Sequence, residues 1–160
     1  MITLFSTGGT FDKIYFDALS EFSIGEPQAL RLFEEGNIRE GFSVESVLKK
    51  DSLELTREDR LILRDKISSS QNSQILITHG TDTMVDTAKV LAETISDKTI
   101  VLLGAMQPAR MNVSDAPFNL GFAFAAVQLL PAGIYIAMSG QVFPYDQVIK
   151  NRKAGQFESI

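Results

Sequence analysis

Short apolar runs without polar alternation constrain the fold of this chain more than any other feature. They cover residues 2–5, 75–77, 100–103 and 134–138 and consist mainly of Ile, Leu and Val. Such runs are typical of strands in a parallel sheet that is covered on both faces. Residues 42–48 alternate in part and predict one further strand. The sequence therefore predicts a buried, mainly parallel sheet.

Helical patterns separate these runs. Thr56, followed three residues later by Asp59, forms a capping motif before one of them. The patterns cover residues 27–35, 57–68, 83–95 and 117–130. The order β-α-β-α-β-α-β-α-β implies right-handed crossovers and an α/β fold. We predict a three-layer α/β/α sandwich of the flavodoxin-like or Rossmann-like type, formed by one domain over residues 1–160 with no second domain.

Composition excludes several kinds of site. The chain has no Cys and one His, His79, so disulfides, thiolate metal ligands and zinc sites with two imidazoles are excluded. The net charge of −5 argues against a nucleic-acid partner, because such proteins carry a basic face. Only Lys150, Arg152 and Lys153 cluster, and the charge pattern alone predicts that they form a solvated end.

The N-terminus and one uncharged segment are the places where a targeting or membrane signal could lie. The first residues contain no basic segment of the kind found in signal peptides, which predicts a cytoplasmic location. Residues 116–145 lack charge, but Asn119, Gln128, Pro131 and Gly133 interrupt their apolar character. We therefore predict a buried helix, a turn and a buried strand there and no membrane span.

Small and hydroxylic residues follow three of the predicted strands. They lie at residues 6–10 (STGGT), 78–83 (THGTDT) and 104–108 (GAMQP). In α/β folds, ligands bind beyond the carboxyl ends of the strands, where glycines allow close approach of the backbone. The chain contains neither G-x-G-x-x-G nor a P-loop motif, so nucleotide binding has no specific support.

Acyl transfer by a Thr hydroxyl is the chemistry that these loops favour. It needs a base, an orienting carboxylate and backbone donors for the oxyanion. Thr10, Thr81, Asp82 and a Lys can provide this set without His. The same Thr and Asp residues are also common as caps and turn residues. From the pattern alone, the catalytic and the structural interpretations both stay open.

Four blocks of the sequence resemble the bacterial-type L-asparaginases. They extend from the first strand to about Lys150 and are TGGT at 7–10, KDSL at 50–53, HGTDTM at 79–84, and GAMQP at 104–108 with SDAPFNL at 114–120. The length is similar to a short-chain branch that consists of the N-terminal catalytic domain alone. The resemblance implies hydrolysis of the side-chain amide of L-asparagine to L-aspartate and ammonia.

The resemblance also implies roles for individual residues. Thr10 is the nucleophile or its close partner, and Tyr15 assists it from a mobile loop. Thr81, Asp82 and Lys150 form a Thr-Lys-Asp triad.

The same resemblance implies how the substrate is held. Asp51 and Ser52 hold its α-carboxylate, and Thr81 and Asp82 complete the substrate-binding set, with Asp82 at the α-ammonium. His79 is expected to be a structural residue that makes hydrogen bonds at a strand end.

The resemblance implies no metal or other cofactor and predicts a homo-oligomer, a dimer or tetramer. Longer relatives use an acidic residue from a neighbouring subunit's second domain near the substrate's ammonium group. Alternatives are a glutaminase or broader amidase, a non-catalytic amino-acid-binding module, and an interaction subunit that uses residues 116–145 as an interface.

Overall fold

The computed structural model describes residues 1–16, 18 and 20–160 and contains a central sheet with smaller hairpins beside it. Its strands are β1 (Ile2–Gly8), β2 (Lys13–Phe16), β3 (Glu21–Ile24), β4 (Phe42–Lys50), β5 (Gln74–Thr78), β6 (Thr99–Leu103), β7 (Gly133–Met138), β8 (Gln141–Pro144), β9 (Val148–Asn151) and β10 (Gln156–Ser159). The α-helices are α1 (Ala29–Glu35), α2 (Arg57–Ser69), α3 (Met84–Ala92) and α4 (Ala116–Leu129).

The central sheet has the strand order β4-β1-β5-β6-β7-β8. Its first five strands pair in parallel, and β8 pairs antiparallel with β7. The four apolar runs predict β1, β5, β6 and β7, and the partly alternating segment 42–48 predicts β4. Because parallel strands have their carboxyl ends at one edge, the loops that follow β1, β4, β5 and β6 lie on the same side of the domain.

Helices cover both faces of this sheet. On β5, Ile75 and Ile77 pack in the cluster formed with α2 and α3, whereas Leu76 packs in the cluster with α1 and α4. Successive side chains of a strand point to opposite faces, so an apolar strand without alternation fits only between two layers. The predicted three-layer sandwich is confirmed, and the absence of a second domain stays a prediction.

The predicted helices all form, with small changes at their ends. The motif before α2 is a complete capping box: the Asp59 N–H donates to Thr56 Oγ1 at 3.2 Å, and the Thr56 N–H donates to Asp59 Oδ2 at 3.0 Å. The helix predicted at 83–95 ends earlier, at Ala92, where the chain continues in turns such as that closed by the Thr94 N–H on the Leu91 carbonyl.

Two hairpins and the edge strand β8 are absent from the predicted order. The hairpin of β2 and β3 follows the TGGT block, and the hairpin of β9 and β10 contains Lys150. Their strands are four residues long and mostly exposed, so they lack the apolar runs that marked the buried strands. Val148 and Phe157 anchor the second hairpin by packing in the core on the α2 and α3 face.

The uncharged segment 116–145 forms α4, β7 and β8. A helix and a strand were predicted there, and β8 is an addition. Among the described residues, no helix is long and apolar enough to cross a membrane.

We expect Leu76→Ala to lower the free energy of unfolding by about 3 kcal/mol, because it leaves a cavity in the central strand. Leu76 is fully buried, whereas Leu53, the matched control, is 66% exposed. Leu53→Ala should change the stability by less than about 0.5 kcal/mol. Urea unfolding followed by circular dichroism measures both values, and equal losses would contradict the described core.

Candidate active site

Three loops touch at the carboxyl edge of the sheet. A Cβ atom on Gly9 would lie 2.5 Å from the Gly80 nitrogen, and one on Gly80 would lie 2.5 Å from Ser52 Cβ. Gly9 also has a φ of 74°, which side chains disfavour. No larger residue fits at either glycine, so the loops after β1, β4 and β5 form one continuous surface.

The loop after β6 joins this surface. A Cβ on Gly104 would lie 2.5 Å from the His79 carbonyl oxygen and 3.0 Å from Thr81 Cγ2. The loop continues to Asp115, whose carboxylate accepts hydrogen bonds from the Met106 and Gln107 N–H groups at 2.9 to 3.1 Å. The predicted loops with small and hydroxylic residues therefore converge.

Lys150 reaches the same surface from β9. Its Nζ donates to Thr81 Oγ1 and to Asp82 Oδ1, each at 2.7 Å. The Lys150 side chain is only 13% exposed, so the solvated end predicted from charge alone is wrong for this residue, whereas Arg152 and Lys153 are exposed. The hairpin turns Lys150 back toward the sheet edge, which a linear charge pattern does not show.

The Thr81 hydroxyl has a strong donor but only a weak acceptor in this arrangement. Its oxygen accepts from Lys150, and its proton points to Met106 Sδ at 3.9 Å. Thioether sulfur is a weak acceptor. The hydroxyl can therefore exchange this contact for a hydrogen bond to a ligand.

Thr10 lies at the opening of a neighbouring cleft. The cleft has a volume of about 300 Å³ and is lined by Thr10, Lys13, Phe22, Gln107, Pro108 and Met111. Within the described part of the chain, the Thr10 hydroxyl has no hydrogen-bond partner, and the side chain is partly exposed. A hydroxyl in this setting is accessible to a ligand in the cleft.

Backbone donors are present between the two threonines. The Gly9 N–H donates to the Lys50 carbonyl at 3.0 Å, and the Gly8 N–H donates to Ser6 Oγ at 3.3 Å, so these two are engaged. The N–H groups of Thr10, Gly80 and Thr81 have no acceptor among the described residues. They are the donors that an oxyanion could use.

Asp51 and Ser52 follow β4 and reach the same surface. Ser52 is 1% exposed, and its Oγ has no partner among the residues that the structure describes. Asp51 Oδ2 accepts from Lys13 Nζ at 3.3 Å. Buried hydroxyls are normally paired, so the unpaired Ser52 Oγ beside Gly80 is unusual, and a ligand would reach this enclosed atom only after a shift of the loops around it.

Tyr15 lies on β2 and not on a loop, because residues 13–16 pair with residues 21–24. Tyr15 is 53% exposed, and its ring packs edge-on against Phe22 with the ring centroids 5.5 Å apart. Phe22 lines the Thr10 cleft, and Tyr15 stands behind it rather than in the lining. The structure thus places Tyr15 at the margin of the site.

His79 is completely buried at the end of β5. Its Nδ1 donates to the Gly80 carbonyl and its Nε2 accepts from Thr87 Oγ1, both at 2.7 Å. Burial lowers the pKa of His79 to about 4, so the ring is neutral at pH 7. The predicted structural role is in agreement with these contacts.

Arg60 extends this network to the substrate-binding candidates. It donates to Thr87 Oγ1 at 2.9 Å and to Thr83 Oγ1 at 3.0 Å, and Thr83 Oγ1 donates to the Ser52 carbonyl at 2.7 Å. The loops after β4 and β5 are therefore fixed to one another by α2 and α3. No motif in the sequence indicated this role of Arg60.

Asp12 is a second residue that the sequence did not reveal. It is 1% exposed, accepts from Ser6 Oγ at 2.5 Å and from the Gln28 N–H at 2.8 Å, and closes the short turn that begins at Thr10. Burial raises the pKa of the Asp12 carboxyl to about 6, against the effect of the Gln28 N–H. Asp12 therefore fixes the backbone of Thr10 to β1 and to the start of α1.

Comparison with known proteins identifies the family of this chain. The family model described as "Asparaginase, N-terminal" matches residues 1–159. The chain belongs to the asparaginase family.

Similar asparaginases come from bacteria and archaea. A "Glutaminase-asparaginase" of Acinetobacter glutaminasificans is 34% identical over 110 residues, which are 66% of this chain and 32% of that protein. The thermostable L-asparaginase from Thermococcus kodakarensis matches in structure with a TM-score of 0.85 and 28% identity, over 99% of this chain and 51% of that one.

A probable cytoplasmic L-asparaginase from Campylobacter jejuni matches with a TM-score of 0.83 and 31% identity, over 99% of this chain and 52% of that one. This chain thus spans about a third to a half of the length of these asparaginases.

Asp12 and His79 give opposite contributions to the pH dependence of stability. Asp12 binds a proton more readily when folded, so acidification from pH 6 to 4 stabilises the protein through Asp12. His79 binds a proton more readily when unfolded, so acidification from pH 6.5 to 4 destabilises it.

We expect Asp12→Asn to remove the first contribution. Between pH 7 and pH 4, its free energy of unfolding should fall by about 2 kcal/mol more than that of the wild type. Urea titrations of both proteins at several pH values measure this difference. The contributions of the other titrating groups are the same in both proteins and cancel. Parallel pH profiles of the two proteins would contradict a buried Asp12 with a raised pKa.

Proposed function

We propose that this chain hydrolyses the side-chain amide of L-asparagine to L-aspartate and ammonia with a Thr nucleophile. The observation that supports this most strongly is the position of Lys150 Nζ, 2.7 Å from both Thr81 Oγ1 and Asp82 Oδ1. These residues come from two separate parts of the chain, and a turn or cap needs no such cluster. Membership of the asparaginase family supports the same reaction.

Thr10 is the group that attacks in this proposal. Its hydroxyl lines the cleft, whereas Thr81 is held by Lys150. Thr10 Oγ gives up its proton as it forms a bond to the amide carbon, the C–N bond breaks, and the nitrogen takes up that proton and leaves as ammonia. Water then gives up a proton as it attacks the ester carbon, the bond to Oγ breaks, and Thr10 Oγ takes up that proton as aspartate leaves.

Thr81, Lys150 and Asp82 move protons for both steps. Lys150 donates to both neighbours in the described arrangement, so it must release a proton before it can accept one. Asp82 lies at hydrogen-bond distance to take that proton, and Thr81 can then pass its own proton to Lys150. Tyr15 assists Thr10 from β2 and needs to approach the cleft to do so.

Backbone N–H groups stabilise the charge that develops on the amide oxygen. We assign this role to Thr10, Gly80 and Thr81, and not to Gly8 or Gly9, whose N–H groups are engaged within the protein. The contact between Gly9 and Gly80 holds the remaining donors in place. Preorganised donors of this kind lower the barrier by several kcal/mol.

We also propose a cytoplasmic location and a homo-oligomeric state for this protein. The name of the Campylobacter jejuni relative supports a cytoplasmic location, although a relative from Haemophilus influenzae is named as periplasmic. The exposed apolar side chains Phe118 and Leu129 on α4 support a homo-oligomer, a dimer or tetramer. Glutamine is the alternative substrate, favoured by the name of the Acinetobacter glutaminasificans relative.

We expect the purified wild-type chain to release ammonia from L-asparagine. Lys150→Met should lower kcat/KM by at least about 100-fold, because it removes the proton transfer through Lys150. A coupled ammonia assay with asparagine and glutamine measures this and decides between the two substrates. Lys153→Met is the matched control, since Lys153 is exposed in the same hairpin. Full activity of folded Lys150→Met would exclude the relay, and absence of ammonia from the wild type with either amide would contradict the proposed function.

A further inference from the structure

The proposed substrate-binding residues present a problem of charge. Asparagine is a zwitterion, and the resemblance places its α-carboxylate at Asp51 and Ser52. Asp51 is itself an anion, and two carboxylates in contact repel each other unless a cation lies between them. Lys150 is less suited to be that cation, because Thr81 and Asp82 already take two of its three N–H donors.

Lys13 is placed to resolve this problem. Of the described residues that line the Thr10 cleft, Lys13 alone is charged. Its Nζ lies 3.3 Å from Asp51 Oδ2, which is longer than the usual 2.7–2.9 Å of hydrogen bonds between charged groups. An ammonium has three donors, and this contact uses one. Lys13 therefore has N–H groups free for a second anion.

The fold fixes Lys13 close to Thr10. Lys13 follows the short turn of Thr10–Asp12 and begins β2, where it pairs with Ile24. The buried Asp12 holds this junction through Ser6 and Gln28. In asparagine the α-carboxylate is separated from the amide carbon by three bonds, so the two groups fit within one cleft of this size.

We propose that Lys13 binds the α-carboxylate of the substrate and thereby makes the site selective for free α-amino acids. Asp51 then holds Lys13 in position and contributes to binding of the α-ammonium group together with Asp82. This inference rests on the proposed function for the identity of the substrate. It assigns to Lys13 a role that none of the sequence motifs indicated.

The experiment compares L-asparagine with its methyl ester, which lacks the α-carboxylate charge and keeps the side-chain amide. We expect Lys13→Met to lower kcat/KM for asparagine about tenfold, mainly through a higher KM, because a partly exposed charged hydrogen bond is lost. The value for the ester should change less than about twofold. Ammonia release measures both. The control is Lys49→Met, which removes an exposed lysine paired with Glu26 outside the site.

Equal losses for asparagine and the ester would overturn the inference, because Lys13 would then only support the hairpin. An unchanged value for asparagine would also overturn it. Lys13→Arg keeps the positive charge and should therefore keep part of the preference for asparagine over the ester. A protein that had lost its fold would show no such preference.

A binding measurement separates this inference from the proposed reaction. Calorimetric titration of Thr10→Ala, with and without Lys13→Met, compares the affinities for asparagine and the ester. Loss of the preference for asparagine in the double variant supports the role of Lys13 even if the wild type releases no ammonia. Absence of any preference in Thr10→Ala would contradict it.

Discussion

The close contact of Gly9, Gly80 and Ser52 is the constraint on which the rest of the site depends. Side chains at the two glycines would overlap the neighbouring backbone or Ser52. This contact brings Thr10, from the loop after β1, and Thr81, from the loop after β5, to one surface. Hydrogen bonds of buried and half-buried side chains then fix these loops: His79, Arg60 and Thr83 hold the loops after β4 and β5, and Asp12 holds the turn at Thr10. A rigid edge of this kind suits chemistry that needs preorganised donors.

Much of this arrangement could be predicted from the sequence, since it follows from local patterns. Apolar runs identify the buried parallel strands, because only a sheet covered on both faces requires them. Parallel strands with a common direction place Thr10, Ser52 and Thr81 at one edge. The approach of Lys150 to Thr81 came from the family resemblance. Its charge pattern alone indicated a solvated end, because the contact between Lys150 and Thr81 joins residues 69 positions apart in the chain.

The residues that the sequence did not reveal act through tertiary contacts. Asp12 resembles an ordinary turn residue in the sequence, and only its burial against Ser6 and Gln28 shows that it anchors Thr10. Lys13 lies in a short strand without an apolar run, and its position beside Asp51 depends on a contact across 38 residues. Such roles depend on which loops meet in space, and single-chain patterns of period 2 or 3.6 contain no information about that.

The central claim is that the joined loops form an acyl-transfer site with Thr10 as the attacking group. Mass spectrometry of peptides from an acid-quenched mixture of the protein and L-asparagine tests it most directly. The account predicts a β-aspartyl ester on the peptide that contains Thr10, and no such ester with Thr10→Val. Ammonia release without any ester on the protein, or an ester on the Thr81 peptide alone, would contradict it.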